Sequence, residues 1–168
     1  MTQDPERRGR SLAELYRTVA PRLFRDLVDS GLLPADGERS DQAHVEWKCF
    51  ALYACVRGLV AAGGFNQETG RAIDVLHDAV LTAWEREPGG PETIEVRRAR
   101  VSARYSEYGE IGQAGGKSGA ATVARRLGEA AARHMTAPQA PPEGLAEIVG
   151  SLHEALAEGA AETVRRKE

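Results

Sequence analysis

The chain has 168 residues, 42% of them apolar, 28% charged and 5% aromatic. This length and balance describe one globular domain able to bury roughly 70% of its extended-chain surface, and they exclude a disordered or fibrous polymer. A formal charge of −3 gives no basic field for steering onto nucleic acid. No run of about 18 apolar residues offers a membrane span, and the polar start MTQDPERRGR has no apolar signal core, so a cytoplasmic location is expected.

With few aromatics, Leu, Val and Ala must fill the core, which suits close helix packing because Ala combines helix propensity with a small side chain. Residues 1–10 are expected to form a disordered N-terminal tail, followed by a single helical domain over 11–168. Ser11 with Glu14 three residues on has the capping-box arrangement, and Leu12, Leu15, Val19, Leu23 and Leu27 share one stripe. Pro21 predicts a kink or a junction of two short helices, because proline lacks the donor and clashes with the preceding turn. A second helix, capped by Ser40 or Asp41, runs to about Ala62 on Val45, Cys49, Leu52, Val56 and Leu59. Trp47, Phe50 and Tyr53 widen its apolar surface, so it belongs at the centre. Gly63 and Gly64 stop it, and Asn66 with Thr69 opens a third helix on Ile73, Leu76, Val80 and Trp84. The very short link makes these two helices antiparallel neighbours.

PGGP at 88–91 breaks the chain. A fourth helix starts near Glu92 and extends toward Tyr108 on Ile94, Val101, Tyr105 and Tyr108. Gly109, Gly112, Gly115 and Gly116 then predict an irregular stretch, since each glycine weakens a helix by about 1 kcal/mol. Ser118 caps a fifth helix through Val123, Leu127 and Ala131 to Met135. Beyond the linker TAPQAPP a sixth runs from Pro142 to about Arg165 on Leu145, Val149, Leu152 and Leu156, suited either to closing its own bundle or to an interface with a second subunit. β-Branched alternation is absent throughout. The expected fold is all-α, a bundle of about six helices with a central antiparallel helical hairpin.

Chemistry is sparsely signalled. Cys49 and Cys55 lie roughly 9 Å apart along one helix, too far for a disulfide, and fit buried packing thiols. The passage GEIGQAGGKSG at 109–119 resembles a phosphate loop only loosely, because the required first glycine is Ile111 and no strand precedes it. Lys117 and the free amides of a helix starting at Ser118 could still hold an anion, against the plainer reading of a loop and a cap. Arg97, Arg98, Arg100 and Arg104 put four cations on the fourth helix, suited to an acidic protein or small anion, while Glu92, Glu95, Glu107 and Glu110 beside them argue against nucleic acid. Asp74, His77 and Asp78 are weak metal candidates, with His44 and Glu46 as more distant ones; no Glu-x-x-His pair supports them. His134 suits the last turn of its helix, near free carbonyls, and His153 suits a surface or an interface.

No nucleophile, general base or cofactor motif assembles from these residues. The expectation is a non-catalytic helical interaction or regulatory protein, forming a homodimer and using no cofactor, metal or membrane. The alternative is a small-molecule or anion-binding protein or an enzyme, with a pocket near the fourth helix and the glycine-rich loop where Arg100, Arg104, Tyr105, Glu107, Lys117 and Ser118 converge.

Overall fold

The computed structural model describes residues 4–87, 92–115 and 119–166. Six helices and no strand occur among them: α1 (Pro5–Asp29), α2 (Glu38–Gly63), α3 (Gln67–Glu85), α4 (Ile94–Gly115), α5 (Ala120–Thr136) and α6 (Leu145–Arg165). The all-helical bundle expected from the apolar periodicity is therefore present. No described helix is long and apolar enough to cross a membrane.

The segment expected to be a disordered N-terminal tail is helical instead, because α1 begins at Pro5 and Ser11 lies inside it. Proline suits a first helical position, where its missing N–H is not needed. Arg8 and Gly9 are buried, and a Cβ on Gly9 would stand 2.6 Å from the Ala72 carbonyl oxygen of α3. The first turn is thus seated on α3 rather than left in solvent. Pro21 does not divide the helix either. Its lost hydrogen bond falls on the exposed side, while Ala20 and Phe24 are buried and the Trp47 indole donates to the Ala20 carbonyl at 2.9 Å. Tyr16 adds a second tie to α2 by donating to the Lys48 carbonyl at 3.1 Å.

α2 touches all five other helices, as its broad apolar surface requires. Its most extensive contact is with α6, and that of α3 is with α1, so the link at Gly63–Asn66 joins neighbours whose principal partners lie elsewhere. The cause is close approach at small residues. A Cβ on Gly58 of α2 would lie 2.5 Å from the Ala160 Cβ of α6 and 2.7 Å from the Ala157 carbonyl oxygen. On the other flank of α6, Gly128 of α5 leaves no room for a Cβ against the Ala146 carbonyl and the Gly150 backbone. Leu127, Met135, Leu145, Val149 and Leu156 fill the space between. The sixth helix is an interior wall of this chain's own bundle.

The third helix opens as its sequence indicates, with the Thr69 amide donating to the Asn66 side chain at 2.9 Å. The glycine-rich stretch does not: α4 stays helical through Gly109 and Gly112 to Gly115. Tyr108 is fully buried against Phe50, ring centroids 5.1 Å apart, and Gly115 sits where a Cβ would meet the Val123 side chain of α5 at 2.5 Å. Docking at both points outweighs glycine's intrinsic penalty of about 1 kcal/mol per residue. Even so, α4 buries only Val101, Tyr108 and Gly115.

His153 departs furthest from its expected surface position. It is fully buried and stacks on Phe50 at 3.9 Å between ring centroids, with Tyr53 and Tyr108 in the same aromatic cluster. Burial drives its pKa well below the ordinary histidine value, so the ring is neutral.

Candidate functional site

Besides the docking of Tyr105 and Tyr108 on Phe50 and Tyr53, α4 is held to the bundle by side-chain bridges. Glu46, on the α4-facing side of α2, is 6% exposed and accepts two hydrogen bonds from Arg104, at 2.7 and 2.8 Å. Arg100 approaches the same carboxylate at 3.9 Å and forms a two-pronged pair with Glu92. Arg97 donates to the Trp84 carbonyl near the end of α3. Further along, Tyr105 meets His77 Nε2 at 2.9 Å and Glu107 accepts from His134 at 2.6 Å. Five residues of one helix face thus reach α2, α3, α5 and the segment entering α4.

The bridges set the local electrostatics. Hydrogen bonding to Arg100 holds the Glu92 carboxyl below the usual range, and the carboxylate partners of Arg100 and Arg104 raise both guanidinium pKa values. Tyr105 is driven well above the ordinary phenol value by burial, and burial lowers His77. Tyr105 therefore stays a phenol, and its hydroxyl shares one hydrogen bond with the His77 ring.

At its N-terminal end, α4 does not close fully onto its neighbours. A cavity of about 470 Å³ lies between the first turns of α2, the end of α3 and the start of α4. Trp84, Val45 and Cys49 supply its apolar wall, and His44, Lys48 and Arg100 part of its polar one. Lys48 bridges to Glu87 and stands 5.7 Å from the centre of the Trp84 ring. His44 stacks on Phe24, centroids 4.5 Å apart, and burial lowers its pKa, with Lys48 adding to the effect. Two smaller concavities adjoin. One, of about 110 Å³, shares His44, Lys48 and Trp84, and the other, of about 330 Å³, opens between Glu85 and Glu95.

The residues expected to converge on a pocket are distributed differently. Arg100 lines the cavity, whereas Arg104 is turned to Glu46, Tyr105 to His77 and Glu107 to His134. Lys117 and Ser118 lie outside the described residues. The hollow is at the opposite end of α4 from the glycine-rich stretch, because that end is anchored by Tyr108 and Gly115 while the start of the helix rests on polar bridges. Among the described residues no group of three His, Cys, Asp or Glu side chains could hold a metal ion; His77 is engaged by Tyr105 rather than by Asp74 or Asp78. The His134 ring turns to α4 instead of capping α5, and Gln42 serves the α5 carbonyls, donating to those of His134 and Ala137 at 3.0 and 2.9 Å. Cys49 and Cys55 are free and buried, and burial pushes both thiols up to about 12, which leaves them un-ionised near neutrality.

Sequence periodicity missed the roles of Glu46, Glu92, Lys48 and Trp84 in this region. One signal was present: Glu46 is an acid set among apolar residues of the central helix, and a buried carboxylate needs a cation, which the arginine series of α4 supplies. No family model, curated protein or solved structure matches this chain.

Proposed function

We propose that this chain is a small-molecule-binding protein without catalytic activity of its own, holding its ligand between the start of α2, the end of α3 and the start of α4. The observation that carries this reading is the cavity of about 470 Å³, lined by Trp84, Val45 and Cys49 together with several charged groups. Its volume falls within the range of about 300–1,000 Å³ usual for ligand pockets, and an apolar wall with a few polar groups is their usual composition. Catalysis finds less support. The two thiols are held in the protonated form, and His44 and His77 are kept neutral without a nucleophile beside them.

The test is a fragment screen read by amide and indole chemical shifts on the full chain. Binders should move the Trp84 indole and the amides of 41–49 and 92–100 while leaving α6 unchanged. A diverse screen that moves none of these resonances would overturn the reading.

Self-association is a second reading, and one observation favours it. Phe65, at the turn between α2 and α3, is 95% exposed. An aromatic side chain presented this way is suited to anchoring a contact between copies. Sedimentation should then detect a dimer that Phe65→Ser abolishes, and a monomer at all accessible concentrations would remove the idea.

A further inference from the structure

The arginines of α4 suggest an anionic ligand, but every cation of the cavity wall is already engaged. Lys48 is paired with Glu87, Arg97 with the Trp84 carbonyl, and Arg100 with Glu92 and Glu46. At Lys48 or Arg100 an incoming carboxylate or phosphate would compete with a carboxylate already bound, which cancels most of what the new contact offers, and only Arg97, held by a carbonyl, is left to attract it. The acids are in surplus. Five carboxylates, those of Glu38, Asp41, Glu46, Glu87 and Glu92, line the cavity against Lys48, Arg97 and Arg100, with Arg104 holding Glu46 from beside it, and His44 is biased toward its neutral form. Glu38 and Asp41, in the first turn of α2, have no cation within ion-pair distance among the described residues.

The approach to the cavity has the same sign. The adjoining concavity between the end of α3 and the start of α4 is lined by Glu85, Glu87, Glu92 and Glu95, with Arg97 as its one cation. An open hollow in which one sign of charge predominates concentrates counter-ions of the other. Inside, the Lys48 ammonium already stands 5.7 Å from the centre of the Trp84 ring, which leaves that ring to hold an apolar body rather than a second charge.

Resting on the ligand-binding reading above, the geometry points to a small organic cation as the ligand class, an amine or guanidine carried on an apolar or aromatic body, with the charge toward Glu38 and Asp41 and the body against Trp84, Val45 and Cys49. An ammonium placed there gains two unpaired carboxylates without breaking an existing bridge. Bare metal ions are a poorer match, because the two carboxylates are joined by no third ligand among the described residues.

The experiment uses three probes that share one ring and differ in charge: tryptamine, indole and indole-3-acetate. Each is titrated into the full-length chain while the Trp84 indole and the amides of 38–49 and 92–100 are followed by NMR. Tryptamine should bind at this site about fivefold to tenfold more tightly than indole, with indole-3-acetate weakest, a spread set by one or two partly solvated charge contacts. The double variant Glu38→Gln, Asp41→Asn lies at an exposed helix start and should fold normally, erase tryptamine's advantage over indole and leave indole binding unchanged. Equal affinities, or tighter binding of the acetate, would overturn the cation assignment while leaving the cavity a ligand site. Silence from all three also overturns it, and the wider fragment screen then decides separately whether the cavity holds any ligand.

Discussion

The two sides of α2 are built on different principles. Toward α5 and α6 the contact is apolar and close, with Gly58 and Gly128 admitting neighbouring backbones and Leu, Val and Ala filling the space. Toward α4 it combines the rings of Phe50 and Tyr53 against Tyr105 and Tyr108 with the bridges from Glu46 to Arg100 and Arg104, and only three residues of α4 are buried. Packing of the first kind tolerates almost no change in volume, because a tight interior cannot absorb an added methyl. Contact of the second kind is directional, leaves space between the bridges and is where the cavity lies. The difference teaches that the candidate site occupies the region whose stability comes least from buried apolar surface.

The largest effect expected is on the close-packed side. Gly128→Val drives side-chain atoms into the Ala146 carbonyl and the Gly150 backbone, and should cost about 3 kcal/mol, which for a chain of this size lowers Tm by roughly 6–12 °C. A melt within 2 °C or so of the parent would mean that α5 and α6 can separate more easily than their geometry indicates. Next comes Glu46→Ala, which strips Arg104 of its carboxylate and Arg100 of one of two. Its cost should be about 2 kcal/mol, below that of a fully buried pair because the arginines are partly solvated, and Glu46→Gln should recover part of it. Denaturant melts read the loss. Amide exchange should locate it in α4, and a uniform rise in exchange across the bundle would contradict the division between the two sides.

Acid should weaken the apolar side through His153. In the folded chain, burial holds this ring well below its ordinary pKa; Arg57 lowers it further and the Phe50 backbone opposes them. Tyr53 and Tyr108 complete its surroundings and supply no negative charge near neutrality. Between the unfolded value near about 6.5 and the lower folded value, the unfolded chain binds more protons, so stability is complete above that window and falls as pH drops through it. The slope from this ring is at most about 1.4 kcal/mol per pH unit. His44 and His77, also lowered by burial, add to it. Unfolding curves between pH 7 and 5 should show the decline, and His153→Leu should flatten it; an unchanged slope would place the acid sensitivity elsewhere. The smallest effect is expected outside both regions, at Arg125→Ala. Its exposed partner Glu129 is 3.9 Å away, and stability should change by less than about 0.5 kcal/mol in a denaturant melt.

Much of the apolar side was legible in the sequence. The stripe Val123, Leu127, Ala131 and Met135 is buried, as are Leu145, Val149 and Leu156, and Asn66 caps α3. These are local signals, set by helical spacing and by one side chain reaching three residues on. The side-chain bridges were not legible, because Arg104 and Glu46 are 58 positions apart and periodicity carries no information on which helix faces which. The glycines of α4 misled for a related reason: propensity weighs Gly109 and Gly112 alone, whereas the helix is fixed by Tyr108 and Gly115 docking on distant residues. The N-terminus shows the same effect, with a polar segment made helical by the seating of Gly9 on α3. The candidate ligand site depends on three segments meeting, and of the four described residues expected to form a pocket, Arg100, Arg104, Tyr105 and Glu107, only Arg100 lines it.

Native-state hydrogen exchange under mild denaturant separates the two regions most directly. Amides of 94–115 should exchange through local opening, at a free energy well below that of global unfolding, while those of α5 and α6 should exchange only with the whole molecule. Protection in α4 equal to that in α6, with the same denaturant dependence, would contradict a cavity wall held chiefly by polar bridges and make α4 part of one uniformly packed core.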